Sequence, residues 1–327
     1  MLYLNTGLAP RRILDPAPHT DSAAADVVWL DLQQPTDEER AAVERVTKLR
    51  VPVKADLAEI ESSSRLSTEG QVLYLSTPMT YRSLDGVSHT APLGFVLSPE
   101  HLLTVRFADL PVFDTYAERF SIANRHPCSV GAFLGLLEAT VDRLADVLEH
   151  VGADLDATSR RVFRPDKAGP RNAARMDAQL RATLRGVGRA GERLSNIRDS
   201  LTGVQRIVLY THDVARSWIP PDMLPRFMTL RQDITSLTEY DVQLSNKVQF
   251  LLDATLGFIN IEQNNGIKVL TVVSVVGVPP TLLASVYGMN FKWIPELQWE
   301  YGYFYGLAVI IASGILPLVW FKKRGWI

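Results

Sequence analysis

The sequence predicts an α+β membrane protein: an N-terminal α/β domain, a long helical stalk and two C-terminal transmembrane helices. Three observations predict it. Short β-branched runs are confined to the first stretch of chain, to about residue 125. Helical periodicity takes over from about residue 130, and two uncharged apolar segments close the sequence.

Within the first 125 residues, Val27 to Leu32, Val72 to Ser76, Leu93 to Leu97 and Leu102 to Val105 are aliphatic or β-branched and bounded by Pro, Gly, Ser or Asp, as strands are. Thr36-Asp37-Glu38-Glu39 places an N-cap hydroxyl ahead of early acids and predicts a helix, and Pro52 to Ser62 predicts a second. An α/β domain over residues 1–128 follows. The stretch Met1 to Asp15 carries Arg11 and Arg12 with no long apolar core behind them, so it does not read as a secretory signal.

A helical region is predicted over 129–225. Phe133, Leu134, Leu137, Val141, Leu144, Val147, Leu148 and Val151 recur at three- and four-residue steps, one buried face of a helix. After Pro165, Gly169 and Pro170 a second helix is expected from about Arg171 to Ser217. It is unusually basic: Arg171, Arg175, Arg181, Arg185, Arg189, Arg193 and Arg198 recur largely at fours, a solvated face or a stripe for an anionic partner.

From Arg226 nothing stops a helix until Pro279. Leu230, Leu237, Leu244 and Leu251 repeat every seven residues with Ile234, Asp241 and Val248 beside them, which predicts a coiled-coil seam between several copies of a stalk over 226–266. Continued to Tyr287, the helix is about 90 Å long at 1.5 Å per residue and must enter a bilayer. Transmembrane helices are expected at 267–288 and 301–321, joined by a loop over 289–300. A basic tail over 322–327 contains Lys322-Lys323-Arg324 and puts the C-terminus, and with two crossings the large N-terminal domain, in the cytoplasm. Tyr287, Phe291, Trp293, Trp299, Tyr301, Tyr303, Phe304 and Tyr305 cluster at one interface, with Trp320, Phe321 and Trp326 at the other.

At 100° per residue, Asn264, Ile267, Thr271, Ser274, Val278, Thr281 and Ser285 share a sector of about 100° on the first span, a face of small and hydroxyl side chains. Such a face serves close helix packing or a polar path, and the upstream heptads favour the path. Val269, Val272, Val273 and Val276 make the other side wholly apolar. Pro279 and Pro280 remove two amide donors, which predicts a kink and free carbonyl oxygens.

Composition narrows the chemistry. A net charge of −2 over 327 residues gives no field for nucleic acid, and the single cysteine, Cys128, excludes an intramolecular disulfide or a Cys-based zinc site. No Gly-rich phosphate loop, His-Glu-x-x-His run or nucleophile elbow is present, which argues against a membrane-anchored enzyme and for no organic cofactor.

Tyr287-Gly288-Met289-Asn290-Phe291, with Pro295-Glu296-Leu297 just beyond, resembles the signature of the CorA family of divalent-cation channels. The likeness extends to Phe258-Ile259-Asn260-Ile261-Glu262-Gln263-Asn264, Pro279-Pro280-Thr281 and Trp326, and more loosely over the α/β domain. It implies a homopentamer in the bacterial inner membrane, both termini cytoplasmic and the loop periplasmic, that takes up Mg2+ and also cobalt. Asn290 would form the selectivity ring, held by Gly288 and Met289. Thr281, Val278, Ser274, Thr271, Leu270, Ile267 and Asn264 would line the pore, with Leu270 and Ile267 as a constriction. Asp253 matches a position where the family binds regulatory Mg2+ between subunits, with Asp85 as a guessed partner, and the partners implied are further copies of the chain and the lipid bilayer. The basic Arg171 to Arg198 stretch departs from the family's acidic helices.

Magnesium dehydrates reluctantly, so a neutral ring of Asn carbonyls suits its hydrated ion better than a carboxylate cage. Glu296 and Glu300 in the outer loop are either solvated loop acids or a means of raising the local cation concentration without binding tightly. None of the six histidines lies in or near the spans, which argues against the alternative, a zinc, nickel or cobalt transporter of the same fold. A third reading is a cytoplasmic sensor tethered by two spans.

Overall fold

A computed structural model describes residues 1–5, 12–14, 27–59, 61, 65–83, 87–123, 128–163, 173–290 and 295–326. The strands are β1 (Leu2–Asn5), β2 (Arg12–Leu14), β3 (Trp29–Gln33), β4 (Leu66–Glu69), β5 (Val72–Arg82), β6 (Ser88–Leu97) and β7 (Leu102–Arg106). The helices are α1 (Asp37–Thr47), α2 (Lys54–Leu57), α3 (Pro111–Ala123), α4 (Ser129–Phe163), α5 (Ala173–Val214), α6 (Leu224–Tyr287) and α7 (Gly302–Lys323). Two compact units result, Met1–Asp166 with Arg185–Leu251, and Lys167–Leu184 with Leu252–Ile327.

The first unit holds a seven-stranded sheet in the order β2-β1-β3-β7-β6-β5-β4. Among the described residues only β3 and β7 pair parallel, with Asp31 opposite Thr104. Alternation along these strands divides the core. Leu30, Leu32, Leu103 and Val105 join Val43, Val51 and Leu57 on one side. Trp29 turns to the other, where its ring meets Phe113, Tyr116 and Phe120 of α3. The same side carries a buried polar ladder: Trp29 Nε1 donates to Thr104 Oγ1 at 3.0 Å, Thr104 Oγ1 to Asp31 Oδ1 at 2.8 Å, and Arg106 Nε to Asp31 Oδ2 at 3.2 Å.

Thr36 caps α1 reciprocally: its hydroxyl accepts from Glu39 N–H, and the Glu39 carboxylate accepts from Thr36 N–H. Of the helix expected over Pro52 to Ser62, the described residues show the single turn of α2, closed at Ala58 by bonds to the carbonyls of Lys54 and Ala55, and residues 60 and 62 lie outside the described residues. Strands β1, β2 and β4 and helix α3 have no counterpart in the sequence reading. β1, β2 and β4 are too short to show periodicity, and Leu66 is the one apolar residue of β4.

The heptad seam is the main correction. Leu230, Ile234, Asp241, Leu244, Val248 and Leu251 are buried inside a single copy of the chain. A Cβ at Gly152 of α4 would lie 3.4 Å from Leu244 Cδ2, and one at Gly191 of α5 would lie 3.4 Å from Val248 Cγ1. The stripe therefore packs on the chain's own α4 and α5 rather than on another copy. A seven-residue repeat specifies an apolar stripe but not whose helix covers it.

Candidate ion pathway

The second unit contains two helices long and apolar enough to cross a membrane, the C-terminal part of α6 and all of α7. Helix α6 continues through Pro279 and Pro280 to Tyr287. The missing amides leave the carbonyls of Val275 and Val276, four residues back, without their helical donors. A Cβ on Gly314 of α7 would lie 3.3 Å from Pro280 Cγ and 3.7 Å from the Val276 oxygen, so glycine lets α7 approach the interrupted turn.

The side of α6 turned to α7 is marked by half-buried Val272, Val276, Pro279, Pro280, Leu283 and Tyr287. On the helical wheel the sector of Ile267, Leu270, Ser274, Val278, Thr281 and Ser285 lies about 180° away. Those six residues are exposed, as is Asn264, and Thr271 is half-buried. The hydroxyl-bearing face is thus the one α7 leaves open, so it is not the surface by which the two spans pack.

Three of the hydroxyls are committed in one direction. Thr271 Oγ1 donates to Ile267 O at 2.8 Å, Thr281 Oγ1 to Gly277 O at 2.9 Å, and Ser285 Oγ to Thr281 O at 2.8 Å. With each proton bonded back into the helix, the oxygens present only lone pairs outward. The first-shell waters of a divalent cation point their protons outward and need acceptors. A face of acceptors without fixed charge can pass such an ion without stripping it.

The helix ends where Gly288 N–H bonds Ala284 O at 3.0 Å and Met289 N–H bonds Val286 O at 3.3 Å. A Cβ at Gly288 would sit 3.3 Å from the Ala284 oxygen, so a larger residue would crowd this turn. Met289 and Asn290 follow, both exposed. Phe291, Lys292 and Trp293 lie outside the described residues. A 3-10 turn, Pro295–Gln298, brings the chain back with Glu296 half-buried. Gly302 N–H then bonds Trp299 O at 3.0 Å.

At the opposite end, Asp253 is exposed on α6 and Asp85 lies outside the described residues. Of the basic stretch, Arg181, Arg185, Arg189 and Arg198 are exposed and Arg193 half-buried, whereas the side chains of Arg171 and Arg175 lie outside the described residues. Among the described residues, no three of His, Cys, Asp and Glu converge to hold a metal.

The first unit has a cleft of about 280 Å³ lined by Tyr116, Cys128, Glu138 and Arg226 among others. Of its two acids, Glu138 and Asp142, Glu138 is already engaged, since Arg226 donates from Nε to Glu138 Oε1 at 3.0 Å and from Nη2 to Oε2 at 2.6 Å. Burial pushes the Tyr116 phenol well above its ordinary range, so it stays protonated. Neither Glu138 nor Tyr116 is poised as a base.

The sequence reading missed how the end of α6 is braced. Tyr287, expected to be an interfacial anchor, lies against Gly306 of α7, whose absent Cβ would be 3.8 Å from its ring. Tyr301, Tyr303 and Phe304 are more than 60% exposed and fit the anchoring role. Glycines spaced by four on the second span, Gly302 and Gly306, were the available signal.

Residues 24–323 match the family described as CorA-like Mg2+ transporter protein. The chain is 33% identical over 306 residues to the magnesium transport protein CorA of Yersinia pseudotuberculosis, covering 93% of each chain. It is 32% identical over 301 residues to that of Haemophilus influenzae, covering 92% of each. In fold it is similar to the complete CorA magnesium transporter of Methanocaldococcus jannaschii, with a TM-score of 0.76 at 18% identity over 100% of this chain and 99% of that one.

Proposed function

The chain belongs to the CorA family of Mg2+ transporters, and from that membership we propose that copies of it assemble around the open face of α6 to form a Mg2+ channel. The observation that carries this reading is the opposition of two faces on one helix. One face is half-buried by α7, and the other is exposed, carries back-bonded hydroxyls and is free to meet further copies. Because the heptad seam is filled within the chain, association falls to that face and to exposed stalk residues such as Val242, Leu256 and Ile261.

In this reading the assembly is a homopentamer in the inner membrane with both termini in the cytoplasm. Asn290, set by Gly288 and Met289, forms a neutral ring that hydrogen-bonds the ion's hydration shell. Glu296 concentrates cations outside the mouth. Thr281, Val278, Ser274, Thr271, Leu270, Ile267 and Asn264 line the descent, with Leu270 and Ile267 as the narrow apolar stretch. Asp253 contributes to a cytoplasmic Mg2+ site that closes the channel when occupied, and cobalt passes as a second hydrated ion.

Flux into liposomes with Mg2+ and Zn2+ in competition tests the ion, and Asn290→Ala tests the ring. The expected result is Mg2+ flux in the native protein and its loss in an assembled Asn290→Ala variant. Zinc flux without magnesium flux, or undiminished flux in the variant, would overturn the reading.

A further inference from the structure

We propose that Gly302 and Gly306 on α7 clamp the two ends of the loop that carries Gly288-Met289-Asn290, so that the second span positions the mouth of the pathway through Tyr287. The inference rests on the reading of Asn290 as the selectivity ring and adds the residues that hold it in place.

Gly302 and Gly306 are four residues apart and share one face of α7. Both are buried. Each meets a different end of the loop. A Cβ on Gly302 would lie 1.8 Å from the Glu296 carbonyl oxygen, so only glycine admits the returning backbone. One turn further on, a Cβ on Gly306 would lie 3.8 Å from Tyr287 Cε2 and 3.9 Å from Cζ. That contact has room for a methyl group and nothing larger.

Tyr287 is the last residue of α6 and directly precedes Gly288. The next two amides are already bonded back into the helix, so there is no slack between the Tyr287 ring and Met289. A shift of the ring is therefore passed along the backbone to Asn290. At the loop's other end the Trp299 ring lies tilted at 59° against Tyr305 of α7, with centroids 5.7 Å apart, and the return is braced on the same helix. The second span thus acts as a mould for the mouth as well as an anchor. Tyr287, Gly302 and Gly306 are positioning residues that need not touch the ion.

The test is a steric swap in reconstituted full-length protein. Gly306→Val, Tyr287→Ala and the double variant are compared for Mg2+ flux, for the ratio of Mg2+ to Ca2+ flux, and for oligomer size by light scattering. Gly306→Val is expected to assemble, to lose about tenfold in Mg2+ flux and to discriminate less between the ions, the cost of an overpacked contact reaching the barrier. Removing the ring in the double variant should restore most of the Mg2+ flux while leaving discrimination at the level of Tyr287→Ala, a coupling in flux that general destabilisation does not produce. Unchanged flux and discrimination in Gly306→Val, or a loss of flux that the double variant does not relieve, would overturn the clamp. Should Gly306→Val fail to assemble, Tyr287→Ala makes no steric demand and is expected to assemble with impaired discrimination; retained discrimination would overturn it. Asn290→Ala run alongside separates the two ideas, because its effect reports on the ring and the swap reports on the clamp.

Discussion

Arg198 on α5 donates from Nε to Oδ2 of Asp241 on α6 at 2.6 Å, placing an ion pair at the edge of an apolar seam. The guanidinium continues to Ser245 Oγ at 2.6 Å and stays partly exposed, whereas Asp241 is fully buried. Its second oxygen, Oδ1, is buried without a hydrogen-bond partner. The helix that continues toward the membrane is therefore tied to α5 by a carboxylate satisfied on one side only.

That asymmetry predicts a pH dependence. Burial raises the Asp241 pKa above the ordinary carboxylate value, and Arg198 lowers it by less. A carboxyl whose folded pKa exceeds its unfolded one, about 3.9, holds more protons when folded. Its contribution is most favourable in acid and declines as pH rises from the unfolded value through the folded one. Asp241→Asn should remove this decline, so the native protein should lose stability relative to the variant as pH rises from about 4 to 7. Thermal unfolding across that range checks it; a constant or shrinking deficit would contradict the assignment.

The buried Asp31 and Arg106 pair behaves differently because it is enclosed on both sides. Arg106 Nη2 lies 3.1 Å from Asp31 Oδ2, and the guanidinium carbon lies 5.1 Å from the Phe113 ring centroid. Arg106→Met would take the guanidinium away from a buried carboxylate at the centre of the sheet and should cost about 3–5 kcal/mol of stability. Replacing Asp31 by Leu in the same chain should recover part of that loss, as measured by denaturant unfolding.

The two pairs show where the sequence was readable. Both apolar spans, the polar-faced helix and the Gly288-Met289-Asn290 turn are local in sequence, and periodicity or spacing reveals them. Asp31 and Arg106 are 75 residues apart and meet only because β3 and β7 pair parallel. The heptads were visible, but their partner was not. Leu244 and Val248 look the same whether they meet Gly152 and Gly191 of their own chain or another copy. For the brace on Tyr287 the spacing of Gly302 and Gly306 was visible but its partner was not, because a glycine shows no side chain to pair with the ring.

Helix α5 crosses the sheet with almost no clearance at Gly203. A Cβ there would lie 1.9 Å from Thr77 Oγ1 and 2.9 Å from Thr77 Cβ. On the same face Asn196 Nδ2 donates to Ser88 O at 3.0 Å, and Ser200 Oγ accepts from Thr80 N–H at 3.0 Å, so the helix cannot lift without breaking bonds. Gly203→Ala should therefore destabilise the first unit by about 1–3 kcal/mol, an overpacking penalty. Shortening Thr77 to Ala in the variant should relieve only part of it, since the Cβ contact remains. A neutral Gly203→Ala in denaturant unfolding would contradict the close approach.

The open face of α6 makes a last prediction about function. Thr281 sits one turn beyond Gly277 and donates its only hydroxyl proton there, so on its outward side it is an acceptor of nearly the same shape as valine. Thr281→Val should leave assembly intact and lower Mg2+ flux about fivefold, the worth of one hydrogen bond to the ion's water shell. Thr281→Ser keeps the oxygen and should restore flux. The pair separates an acceptor role from a packing role, since packing prefers the isosteric Val and hydration prefers the smaller Ser. Flux retained in Thr281→Val and lost in Thr281→Ser would mean that this face serves contact between helices and not the passage of a hydrated ion.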